Sequence, residues 1–274
     1  MPPADHRNLR LEISFDGRAF NGYQFQPNGK TVQELLTKAW ELLTHEQVLL
    51  FGCSRLDAGV HASHFVVNLY SRTHHSCDRI LRSLNGILCT AIRGPISILS
   101  VSEVDARFHA RYDSVGKHYR YLFWYGRGAH ALWAPRCWTV RSPVEPAGLD
   151  SILREFEGTH DFAAFRAQDC TAKTTERTIF RIDFWRHPRI WELGVVDVWG
   201  DGFLKNMVRN LVGTAMDIAT GRLPANSILQ GFEHRDRSRI GQCAPAHGLA
   251  LEKVYYSMEE LQIDARSGVP FLLS

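Results

Sequence analysis

The stretch His118-Tyr119-Arg120-Tyr121-Leu122-Phe123-Trp124-Tyr125 divides the 274-residue chain in two. Tyr119, Tyr121, Phe123 and Tyr125 stand at every second position, so they share one face of a β-strand while their neighbours point the other way. An order of elements already completed upstream begins again at this strand.

Upstream, Leu11, Ile13 and Phe15 alternate with Glu12 and Ser14, the pattern of a half-buried strand, and Asp16-Gly17 closes it with turn chemistry. Thr31 and Glu34 have capping-box spacing. Val32, Leu35, Leu36, Ala39, Trp40 and Leu43 then recur at helical spacing, which predicts an amphipathic helix of roughly 12 residues. A short apolar run at 48–53 and the alternation of Phe65, Val67 and Leu69 predict two strands flanking residues 54–64. Ile80, Leu81, Leu84, Ile87 and Leu88 mark a second helix, and residues 96–104 another strand. The order is β-α-β-β-α-β.

Downstream of residue 125, Pro146 suits a first helical turn, Leu149, Ile152, Leu153 and Phe156 form its stripe, and Gly158 is placed to end it. Strands are expected at 179–185 and 191–199. Phe203, Leu204, Met207, Val208, Leu211, Val212, Ala215 and Ile218 give the strongest helical pattern, ended near Gly221, and residues 249–255 supply a last strand. The repeated order predicts an α+β protein of two ferredoxin-like units in pseudo-symmetric tandem, residues 8–112 and 113–274, with a boundary near 107–117. Antiparallel sheets with helices on one face leave a broad open surface. A cleft between the units is where a ligand is expected, and residues 127–146 read as a long surface loop.

Hydrophobic residues make up 45% of the chain and charged residues 22%, an ordinary globular balance that excludes disorder. No apolar run approaches eighteen residues, and residues 1–10 lack the apolar core of a signal peptide, so a soluble, cytoplasmic protein is expected. Six cysteines without a C-x-x-C pair argue against a disulfide framework or zinc knuckle. A formal charge of +3 permits a polyanionic partner without requiring one.

The chemistry concentrates in Ser54-Arg55-Leu56-Asp57-Ala58-Gly59-Val60-His61-Ala62, a connection between two apolar strands. Gly59 can adopt backbone angles closed to other residues and aim Asp57 outward. Arg55, two residues earlier, could hold the carboxylate ionised, and an ionised, oriented aspartate serves as nucleophile or base. The same spacing also suits an Asp57 that only makes a side-chain turn.

This segment resembles, in seven of nine positions, the Gly-Arg-Thr-Asp-Ala-Gly-Val-His-Ala signature of the tRNA pseudouridine synthase A family. Further matches follow in the family's order: residues 20–26 with Phe20, Gly22 and Gln24; Val32-Gln33-Glu34; Phe108-His109-Ala110-Arg111; Tyr119-Arg120-Tyr121; Asp161-Phe162 through Phe165-Arg166; residues 207–213; and Gly248-Leu249. The resemblance implies a doubled ferredoxin-like fold, a homodimer, tRNA as partner, no cofactor and no metal. Its usual target is uridine at positions 38–40 of the anticodon arm. Carried over, Asp57 is the aspartate that attacks the nucleotide, Tyr119 contacts the uracil, and Arg209 pairs with Asp57. Arg209 stands in an otherwise apolar helical stretch, where an unpaired guanidinium would be costly to bury. Arg55 is then free for RNA, and His61 for loop backbone or RNA.

Arg18, Arg111, Lys117, Arg166, Lys173, Arg177 and Lys205 could track phosphates, with Arg18, Arg111, Arg166 and Lys205 favoured because they adjoin family motifs. Trp133, Trp138, Trp185 and Trp199 are expected to pack. The sequence departs from the family at Ser54 and Leu56, which replace glycine and threonine, and at Tyr23, where tryptophan is common. A diverged paralogue acting on another RNA and a catalytically silent RNA-binding protein are the rival readings. A metal-dependent hydrolase using His61 and His64 would need a ligand pattern that these residues lack.

Overall fold

Strand β1 (Arg7–Phe15) buries Leu9, Leu11, Ile13 and Phe15 on alternate positions, the half-buried pattern its sequence predicts. Thr31 caps α1 (Val32–Thr44) by accepting from the Glu34 N–H at 3.3 Å, and α1 buries Val32, Leu35, Leu36, Ala39 and Trp40. Each buried valine or leucine among them contributes about 1.5–3 kcal/mol relative to exposure. In the computed structural model, which describes residues 5–141 and 144–267, the chain divides into two units. The first comprises 1–114 with 251–256, the second 115–250 with 257–274. Residues 1–4, within the stretch read for a leader, and 142–143, within the expected surface loop, lie outside the described residues.

In the first unit, β1 is followed by α1, β2 (Phe51–Gly52), β3 (His61–Ser71), α2 (Cys77–Ile87) and β4 (Ile96–Val104). This is the β-α-β-β-α-β order of the sequence. β1 lies between antiparallel β3 and β4, with Leu11 opposite both Val67 and Val101. β2 covers only two of the six residues expected at 48–53 and pairs with β3. β10 (Leu249–Tyr255) also lies beside β3, and its residues 251–255 group with this unit, whereas the sequence reading carried them with the second half. α2 runs on into a π-helical turn, Leu88–Ile92.

The second unit opens with β5 (Gly116–Tyr125), where Tyr119, Tyr121, Phe123 and Tyr125 are all buried, at 0–6% exposure. The expected surface loop after it is partly core. It carries β6 (Trp138–Val140), parallel to β5 with Phe123 opposite Trp138, and buries Cys137. A parallel neighbour needs a long connection rather than a tight turn, which is why this stretch has no hairpin signature. α3 (Pro146–Arg154), β7 (Gly158–Asp161), β8 (Glu176–Arg186), β9 (Leu193–Gly200), α4 (Met207–Ala219), α5 (Ser227–His234) and α6 (Met258–Ser267) complete the described elements. The antiparallel order β5-β9-β8-β7 sets Tyr119 opposite Val198 and Arg120 opposite Asp197.

The other face of β5 holds a buried polar cluster that alternation alone does not reveal. The Asp197 carboxylate accepts from His118 Nε2 at 2.7 Å, Arg120 Nε at 2.8 Å and Trp185 Nε1 at 2.8 Å. His118 stacks on Trp199 at 4.3 Å. Burial raises the Asp197 pKa, but the hydrogen bond and charge of His118 and the charge of Arg120 outweigh it and hold the carboxyl at about 2. α6 sets Leu261 against Gly116 on this same side of the strand, adding helical cover opposite the Tyr119 face. Among the described residues, no helix is long and apolar enough to cross a membrane.

Candidate active site

The Asp57 segment is a fastened loop. On either side of the aspartate, the Leu56 carbonyl accepts from Tyr23 N–H at 3.2 Å and Gly59 N–H donates to the Phe20 carbonyl at 3.3 Å. Within the loop, Val60 N–H closes a turn onto the Asp57 carbonyl at 3.2 Å, and Gly59 takes φ +81°. Leu56 and Val60 are buried, Arg55 and Ala58 exposed, and Asp57 half-buried. Leu56 thus turns its bulk into the core on one side of Asp57. Residues 20–26, which the sequence marked without a role, are the wall that holds this loop.

Tyr23 is 3% exposed and its ring lies 4.4 Å from that of Phe65. Among the described residues, its buried hydroxyl has no hydrogen-bond partner, and burial pushes its pKa far above the ordinary tyrosine value. Gln33 closes the wall from α1: its side-chain oxygen accepts from Phe25 N–H at 2.8 Å, and its amide donates to the Leu50 carbonyl at 3.1 Å.

His61 begins β3 and is buried, with Nδ1 accepting from Gly17 N–H at 3.3 Å beside Asp16. Arg18 donates to Asp16 from Nε at 2.9 Å. The Arg18 hydrogen bond is the main reason that the Asp16 pKa is lowered to about 2. The structure therefore joins Arg18 and His61 through Asp16, a residue the sequence reading treated only as turn chemistry. His64 is engaged elsewhere, with Nδ1 accepting from Val254 N–H at 3.3 Å and Nε2 3.6 Å from Glu12. Among the described residues, no group of three His, Cys, Asp or Glu side chains could hold a metal ion.

Arg111 is exposed on the turn after Phe108-His109-Ala110, with its guanidinium 5.8 Å from the Tyr112 ring centre. That turn is locked by a buried amide relay. Asn68 accepts from Ala110 N–H at 2.9 Å and donates to Asn8 at 3.0 Å, and Asn8 donates to the Phe108 carbonyl at 2.8 Å.

In the second unit, Tyr119 is 5% exposed and meets the Phe203 ring edge-on at 5.0 Å. Arg209 occupies the first turn of α4. Its Nε donates to the Ala244 carbonyl at 2.7 Å and its Nη1 to the Asn206 side-chain oxygen at 3.0 Å. Asn206 takes φ +62°, a left-handed conformation that asparagine tolerates, and so reverses the chain into the helix. Burial raises the Tyr121 pKa, and the Arg209 charge opposes that rise.

The matched motifs of this unit are also tied to one another. Asn210 donates to the Phe165 carbonyl at 2.7 Å, next to half-buried Arg166, and the Lys205 carbonyl accepts from Ala167 N–H at 2.9 Å. Lys205 is exposed and paired with Asp169. Gly213 lets the chain at Gln242 cross α4 closely, since a Cβ there would lie 1.8 Å from the Gln242 carbonyl oxygen. Lys117, offered above as a phosphate contact, is only 9% exposed. Trp199 is buried and Trp185 hydrogen-bonded to Asp197, as expected of packing residues.

The family model described as tRNA pseudouridine synthase matches residues 13–113 and 152–257, which include the Asp57 loop and the Arg209 helix. Among curated relatives, tRNA pseudouridine synthase A of Acetivibrio thermocellus is 41% identical over 250 residues, 91% of this chain and all of its own length. The protein of the same description from Citrifermentans bemidjiense is 37% identical over 251 residues, 91% of this chain and 98% of its own. With matches of this extent, the chain belongs to the tRNA pseudouridine synthase A family, isomerases that convert uridine to pseudouridine in tRNA.

Proposed function

We propose that the protein isomerises uridine in the tRNA anticodon stem-loop, at positions 38–40, with Asp57 as the attacking carboxylate. The observation that carries this reading is the clamping of the loop on both sides of Asp57 by Phe20 and Tyr23. Such fastening holds a nucleophile in one geometry before substrate arrives. The reaction breaks the C1′–N1 bond, turns the uracil and joins C5 to C1′; the C5 proton leaves to solvent and the freed N1 takes one up, so the product is an isomer of the substrate. No redox change and no external reactant are needed. Attack by Asp57 at C6 or at C1′ requires the ionised carboxylate, and the uridine must leave its stack to expose either atom.

Tyr119 contacts the uracil, and Arg209 pairs with Asp57 and keeps it charged. The two bonds that fix the Arg209 guanidinium support a positioning task, because an undirected arginine would retain its rotamer freedom. Arg55, Arg18, Arg111, Arg166 and Lys205 contact the RNA, whereas His61, offered above for loop backbone or RNA, is buried on the Gly17 N–H and serves the loop backbone. The enzyme acts as a homodimer in the cytoplasm.

Tritium release from transcripts labelled at uridine C5 tests the reading. Wild type is expected to release tritium from anticodon-arm uridines in the presence of chelator, and Asp57→Asn to release none. Silence of the wild type on every tRNA would overturn it. Sedimentation at working concentration tests the dimer, and a monomer would remove that part of the proposal.

A further inference from the structure

Phe25 is a large aromatic side chain left 59% exposed on a hairpin that is otherwise held tightly. Its backbone N–H is fixed by Gln33 at 2.8 Å. Asn21 N–H donates to the Lys30 carbonyl at 2.8 Å, Gln26 donates to the Asn21 carbonyl at 2.9 Å, and Gln26 and Gly29 form a β-bridge. A single exposed apolar residue is ordinary. This one differs because the hairpin carrying it is the wall of the Asp57 loop. Two residues earlier, Tyr23 N–H is bonded to the carbonyl of Leu56, Asp57's neighbour, and two residues of chain span at most about 7 Å.

The hairpin, Phe20-Asn21-Gly22-Tyr23-Gln24-Phe25-Gln26-Pro27-Asn28-Gly29-Lys30-Thr31, contains no carboxylate, carries one lysine and exposes amide side chains at Gln24 and Gln26. Such a surface does not repel a phosphate backbone, and its amides can bond base edges or phosphates. A ring on an ordered backbone offers a π-face at little further entropic cost. Bases made accessible by leaving a helix are captured by stacking on just such rings.

We propose that Phe25 is a nucleobase-stacking residue that receives an unpaired RNA base close to the target uridine. This inference rests on the reading of the chain as an RNA-modifying enzyme and adds to it a base-binding contact outside the reacting set. The ring holds the strand beside the Asp57 loop by stacking without reading the base's hydrogen-bonding edge. Its contribution belongs to RNA binding rather than to bond making.

Steady-state tritium release and filter binding to a tRNA transcript, measured together on Phe25→Ala, Phe25→Trp and Phe25→Leu, test this. Phe25→Ala is expected to raise KM and Kd by roughly 5- to 100-fold, the effect of removing one stacked ring, with kcat within about twofold of wild type. Phe25→Trp is expected to restore binding and Phe25→Leu is not, because leucine keeps apolar bulk but has no π-face. Leu42→Ala, at an exposed position on α1, is the surface control and is expected to match wild type. Unchanged KM and Kd in Phe25→Ala, or full binding by Phe25→Leu, would overturn the proposal. If the wild type released no tritium, the reading of the reaction would fail while the binding series still decided the role of Phe25.

Discussion

Gly22 is wedged against Leu56. It holds φ +95°, and a Cβ placed on it would lie 2.5 Å from the Leu56 carbonyl oxygen and 3.3 Å from the Asp57 carbonyl carbon. Backbone rather than a flexible side chain fills that space, so the loop cannot yield without moving Asp57. Gly22→Ala is expected to lose about 1–3 kcal/mol of stability, from the left-handed strain and the clash, and to lower kcat at least tenfold. Denaturant unfolding and tritium release on the same preparation check it, and normal kcat would show that the loop tolerates the displacement.

Asp57→Asn keeps nearly the same volume and hydrogen-bonding reach but removes the charge. Turnover is expected to disappear, while the tRNA Kd stays within a fewfold of wild type because phosphates, not this carboxylate, dominate RNA affinity. Filter binding beside tritium release checks both halves. A large loss of affinity would make Asp57 a binding residue instead.

Asn206 can be separated from its backbone role. Glycine accepts φ +62° without strain but cannot offer the oxygen that holds Arg209 Nη1. Asn206→Gly is expected to lower kcat about tenfold with a melting temperature within a few degrees of wild type. Arg209→Lys is expected to lose more, since an ammonium cannot reproduce the directed pair of bonds to Asn206 and Ala244.

Tyr23→Phe is expected to stabilise the protein by about 1 kcal/mol, because it removes a buried hydroxyl with no partner among the described residues and keeps the ring against Phe65. Equilibrium unfolding in urea measures it. Destabilisation would mean that the hydroxyl finds a partner in solution, such as a buried water.

Asp197 sets an acid limit. Its folded pKa of about 2 lies below the unfolded value near 3.9, so its contribution is fully present above pH 4 and is lost as pH falls towards 2. Asp197→Ala is expected to remove that pH dependence and to cost about 3–5 kcal/mol at pH 7, because it leaves His118 and Arg120 buried without their carboxylate. Unfolding free energies of both proteins across pH 2.5–7 check the prediction.

The amino-acid sequence by itself determined the alternation of β1 and β5, the capped helix after Thr31, the full extents of β4 and β10, and the family signature around Asp57. These are local properties: a period of two or 3.6, a capping oxygen and a contiguous motif are all written in neighbouring residues. Tertiary structure alone decided the rest. His118 and Arg120 read only as pointing away from the tyrosine face, yet the Asp197 carboxylate from β9 and the rings of Trp199 and Trp185 enclose them. Residues 127–146 read as surface because a parallel partner such as β6 leaves no turn signal. The wall formed by residues 20–26, and the bonds from Asn206 and Ala244 to Arg209, join residues distant in the chain or depend on a backbone reversal that no periodicity announces. Hydrogen bonds of that kind are set by where packing brings the backbone, so they become visible only after the core has formed.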